Sequence, residues 1–164
     1  MEKFLAGVAG WREFDEGLVM TAEDDIQIDN MQGVVALHTS QGSKIDLHTV
    51  ESAKMVIDAP NAHVSLNLKS IHDLSHIHCA SAEIIVGEAF SACDIYDQKK
   101  GEFFQGPGLD PQLLGQRPLL KVYAAGNLEI KVMSDFEILR RQIMSKMHAR
   151  KQQNPRWTFT SLKR

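Results

Sequence analysis

Between residues 26 and 95, apolar side chains come in pairs two positions apart, and the pairs recur every nine or ten residues. They are Ile26/Ile28, Val35/Leu37, Ile45/Leu47, Met55/Ile57, Val64/Leu66, Leu74/His76, Ile84/Val86 and Cys93/Ile95, with a histidine completing the sixth. A spacing of two marks one face of a β-strand, where successive side chains point to opposite sides; a helix repeats at 3.6. Turn formers fall between the pairs: Asn30, Gly33, Ser40-Gln41-Gly42-Ser43, Asp58-Ala59-Pro60-Asn61 and Ser91. The beat predicts a mainly β chain of about eight short strands with a period of about 9.6 residues.

Two segments are near duplicates, Val35-Ala36-Leu37-His38-Thr39 and Ile45-Asp46-Leu47-His48-Thr49. The regular step and this repetition favour a two-sheet β-solenoid, two strands to a coil. An antiparallel meander or sandwich and a trimeric β-helix satisfy the same beat. Stacked repeats bury a continuous core only if their ends are covered, so the flanking segments are expected to act as caps. Residues 1–24 form the N-terminal cap segment, with Phe4, Leu5, Val8 and Trp11 on one side of a short helix that Gly7 and Gly10 interrupt. The repeat region spans 25–98, and 99–118 reads as a long loop rich in glycine and proline. Residues 119–133 read as a strand pair, a hairpin or two strands returning to the sheet.

Ser134-Asp135-Phe136-Glu137 is a capping-box pattern. Behind it Phe136, Leu139, Ile143 and Met147 make a stripe at helical spacing, and Asn154-Pro155 stops the helix. This predicts a basic amphipathic helix over 134–153 and a basic tail over 154–164. The net charge of −3 conceals an asymmetry. Residues 138–164 hold Arg140, Arg141, Lys146, Arg150, Lys151, Arg156, Lys163 and Arg164, and no acid, so the rest of the chain is strongly acidic. Either the stripe packs on the β-region as a cap, or helix and tail dock on something anionic. With Trp157 and Phe159 among the basic residues, RNA, an acidic protein surface and anionic lipid all fit. All eight basic residues, with Trp157 and Phe159, are the candidate partner-binding set.

No nucleophile motif, phosphate loop, dinucleotide fingerprint or zinc-protease motif is present, and no catalytic residue is assigned. Cys79 follows His78, but neighbours on a strand face opposite ways. His76 and His78 share a strand face and would surround a metal ion if three chains met on an axis. No cofactor is otherwise called for. In a two-strand coil His38 and His48 would stand on opposite sheets and could not share a metal. Two cysteines make no disulfide framework, which favours a reducing intracellular compartment. There is no apolar run long enough to span a membrane and no signal-peptide core.

The stretch from Gly33 to Leu47, GVVALHTSQGSKIDL, resembles the putative-adhesin β-solenoid family, with its motif close to G-x-V-x-L-x-T-x-x-G-x-I-x-L. That resemblance implies a non-catalytic solenoid of about twenty residues per coil. The same stretch, with His76-Ile77-His78, is similar to the β-helical spikes of phage tails and type VI secretion needles, which implies a homotrimer with metal at the tip. The reading that follows is a structural or interaction subunit of a larger assembly, bound to other protein subunits, with the basic C-terminus as a docking element. A homotrimeric spike component is the second reading, and a short carbohydrate-active or metal-dependent β-helix enzyme the third.

Overall fold

The structure, a computed structural model, describes residues 13–14, 17–21 and 25–152. It is mainly β, with one C-terminal helix. Three long strands carry the repeat: β3 (Ile26–His38), β4 (Lys44–Ser70) and β5 (Ser75–Gly87). Before them come β1 (Glu13–Phe14) and β2 (Gly17–Thr21), both paired with β3. After them come β6 (Asp94–Asp97), β7 (Glu102–Phe103), β8 (Leu119–Ala124) and β9 (Leu128–Met133), and then α1 (Asp135–Gln152). Among the described residues, these nine strands join in one open sheet.

Every pairing is parallel except the short β6–β7 pair. A meander would pair its neighbours antiparallel, so that alternative is set aside. The register places each apolar beat on a later one: Ile26 on Ile45, Ile28 on Leu47, Val35 on Met55 and Leu37 on Ile57. The column continues from Ile57 to Ile77 and then to Val122. Fourteen of the sixteen beat side chains are 3% exposed or less. Each isoleucine or leucine so buried contributes about 1.5–3 kcal/mol relative to an exposed one.

Two expectations change, and one pair of alternatives is resolved. The eight short strands are fewer and longer, because the turn formers bend strands without ending all of them. Gly33 takes a positive φ of 75° inside β3, next to a register shift. Asp58-Ala59-Pro60-Asn61 lies inside β4, where the register shifts again between Ala59 and His63. The sixth beat is displaced by one: Leu74 is 46% exposed, while Ser75 and Ile77 point inward. The Ser75 hydroxyl takes the hydrogen bond from Met55 N, so a polar side chain is satisfied there. Finally, of the two forms expected for 119–133, the hairpin is set aside and the other holds: β8 and β9 each return to the sheet, parallel to β5.

The stretch 99–118 contains β7 and a short 3-10 turn at Pro111–Leu113. It is tied down by a buried ion pair, with Arg117 Nε 2.9 Å from Asp94 Oδ1 on β6. Gly115 N donates to the other Asp94 oxygen, and an Arg117 nitrogen donates to Asp110 O. β6 does not sit next to β5. β8 lies between them, with Ser75 of β5 on Leu120 and Leu120 in turn on Ile95 of β6. Beyond β9 the next element is α1, which crosses the sheet towards the earlier strands. Among the described residues, no helix is long and apolar enough to cross a membrane.

Candidate interaction surface

The helix begins as its sequence dictates. Ser134 Oγ accepts from Glu137 N, and Ile138 N donates to Ser134 O. Asp135 and Glu137 occupy the first turn, where negative charge offsets the helix dipole. Arg140 pairs with Glu137 at 3.0 Å, an exposed i,i+3 contact.

The face α1 turns towards the sheet is mostly polar. Gln142 Nε2 donates to Thr49 Oγ1 on β4, and Arg141 reaches the Met133 sulfur. Between helix and sheet lies a cleft of about 170 Å³, lined by Ile138, Arg141 and Gln142 from α1 and by residues of β4, β5 and β9. On its floor is His48, with Nδ1 3.0 Å from Asp29 and Nε2 3.5 Å from Asp46. The hydrogen bond to Asp46 holds the imidazolium above the usual histidine range, Asp29 adds to this, and burial opposes it.

The apolar face points the other way. Phe136 is 73% exposed, Leu139 53%, Ile143 48%, Met144 55% and Met147 51%. The stripe therefore does not pack on the β-region as a cap. A helix whose large side chains stand in solvent while a glutamine and an arginine meet the body is inverted relative to an ordinary surface helix. Contiguous exposed apolar side chains of this kind mark interaction sites.

The candidate basic residues divide. Arg140 and Arg141 are exposed on the first half of α1. Lys146, Arg150 and Lys151 belong to its helical backbone. Arg156, Trp157, Phe159, Lys163 and Arg164 lie outside the described residues, as does the segment with Phe4, Leu5, Val8 and Trp11.

His76 and His78 alternate with buried Ile77 and so share the outer face of β5. His78 belongs to a surface column that runs His38, Asp58, His78 and Tyr123 across four strands. His38 Nδ1 lies 3.2 Å from Asp58 and His78 Nδ1 3.5 Å from it, while the His78 ring meets Tyr123 edge-on. Neither His38 nor His78 reaches His48, which has its own two aspartates. Among the described residues, no group of three or more histidine, cysteine or acidic side chains is arranged to hold a metal ion. Cys79 and Cys93 are free and buried, and burial pushes their thiols up to about 11 and about 12. At neutral pH neither is a thiolate nucleophile.

Sequence reasoning named the stripe and the basic residues but did not give their direction. It missed the His48 clamp. The signal was there in principle, since Asp29 lies nineteen residues before His48, the same interval that separates stacked beats. Compared with protein-family models, with curated proteins and with solved structures, the chain matches none.

Proposed function

We propose that this chain is a structural and interaction subunit of a larger assembly. In this reading the parallel ladder is coiled as a β-solenoid of about twenty residues per coil, bending at Gly33 and at Ala59–His63. The solenoid is the rigid scaffold, and α1 with the basic tail is the docking element. The observation that carries the proposal is the outward stripe of Phe136, Leu139, Ile143 and Met147. Its spacing of i, i+3, i+7 and i+11 is that of a helix laid in a protein groove. Apart from Phe136 the row is Leu139, Ile143 and Met147, which offer little to bases or phosphates, so a protein surface with acidic borders suits it better than RNA. The eight basic residues of 138–164 supply complementary charge and speed encounter.

The test is to isolate native complexes carrying Leu139→Asp or Ile143→Asp. These exposed positions should leave the far-ultraviolet spectrum unchanged while partner subunits are lost. An unaltered set of partners would remove α1 from the docking role.

A homotrimeric spike is the second reading, favoured by His76 and His78 standing together on the outer face of β5. It requires a solution mass three times that of the chain, and a monomer without partners removes it.

A further inference from the structure

We propose that the cleft between α1 and the sheet is a binding site for a small aliphatic carboxylate, with Arg141 and Asn67 at its head group.

Two donors line this cleft without an adequate acceptor. Asn67 lines it from β4 and is 8% exposed, and its Nδ2 meets no hydrogen-bond acceptor among the described residues. Buried amide groups are nearly always hydrogen-bonded, so a donor left over in a cleft wall calls for a ligand that brings the acceptor. Arg141 lines the same cleft from α1. Its guanidinium offers five N–H donors in a planar fork, and among the described residues it bonds only the Met133 sulfur, a weak acceptor. The other paired arginines hold carboxylates: Arg140 takes Glu137 and Arg117 takes Asp94.

The acids that line the cleft already have partners. Asp46 faces His48 at 3.5 Å, and Glu83 holds Lys131 at 2.7 Å. With Asp29 on His48 and Glu129 near Lys131, four acids (Asp29, Asp46, Glu83 and Glu129) face three bases (His48, Lys131 and Arg141). Diffuse attraction therefore does not gather anions here. A head group has to be taken by direct bonds, which selects a planar carboxylate that a guanidinium grips with two parallel N–H donors. The rest of the lining includes Ile85, Met133 and Ile138, which suits an aliphatic body. The cleft volume of about 170 Å³ has room for about six water-sized groups, hence about six non-hydrogen atoms. The cleft lies on the face of α1 turned towards the sheet, so the inference does not depend on the docking role of the outward stripe.

Isobutyrate, a branched acid of that size, is the probe, and isobutyramide is its uncharged isostere. In the isotope-labelled full-length chain at constant ionic strength, isobutyrate should shift the Asn67 side-chain amide and the Arg141 Nε–H signals saturably, in the mM range that suits so small a ligand. Isobutyramide and inorganic phosphate should bind at least about tenfold more weakly. Arg141→Gln should weaken isobutyrate by about tenfold or more. Lys54→Gln removes the same charge at an exposed position outside the cleft and should leave the affinity unchanged. Both positions are exposed, so both variants should keep the β-sheet dichroism of the native chain. Shifts that do not saturate, that the amide or phosphate reproduces, or that persist in Arg141→Gln overturn the site. An equal loss of affinity in Lys54→Gln also overturns it, because net charge alone would then account for the binding.

Discussion

At the scale of single residues, two polar sites have consequences that can be measured. Asp94 is 3% exposed and is held by Arg117 Nε and Gly115 N. Arg117→Ala would strand a buried carboxylate, and we expect a loss of about 3–5 kcal/mol in denaturant unfolding. A loss below 1 kcal/mol would show that the pair is dispensable. His48 couples folding to pH. Its pKa is raised in the folded chain, so its contribution is complete below the ordinary value of 6.5 and fades as pH climbs through the folded value. The unfolding midpoint of the native chain, relative to that of His48→Gln, should therefore be highest at pH about 6 and shrink towards pH about 8. A difference independent of pH would exclude the Asp46–His48–Asp29 clamp as its source.

At the scale of elements, α1 depends on its cap more than on its packing. Ser134→Ala removes the acceptor for Glu137 N and should cost the helix about 1 kcal/mol. Amide exchange in the first turn of α1 reads that change, while β3–β5 should be unaffected; equal loss of protection in the strands would mean that α1 and sheet unfold as one. The capping box and the strand beat were both legible in the sequence, because each is a local rule with a short period. Leu74 was misread for the same reason, since the beat ignores hydroxyls and Ser75 takes the inward place by bonding Met55 N. The direction of the stripe was not legible. Phe136, Leu139, Ile143 and Met147 have one spacing whether they face a core or solvent, and it is long-range contacts such as the Gln142–Thr49 bond that fix the rotation.

At the scale of the whole molecule, the ladder should unfold cooperatively through its central columns. Ile57 lies between Leu37 and Ile77 and is fully buried. Ile57→Ala should cost about 2–5 kcal/mol, seen as a lower denaturant midpoint at unchanged slope. A local effect confined to one end would show instead that neighbouring rungs melt separately. What the sequence could not display is the pairing of Ser75 with Leu120, because a separation of 45 residues belongs to no repeat.

That pairing sets an order of assembly. Rungs laid down one after another can join a growing stack as soon as each is complete. β6 cannot, because the place beneath it belongs to β8, whose residues come more than twenty positions later. During synthesis residues 94–97 can pair only with the short β7 that follows them, and must wait for 119–124 to slide in between them and β5. The last third of the sheet therefore closes in a single late event, as a drawer closes, and a chain stopped before Leu119 would hold an empty slot beside β5.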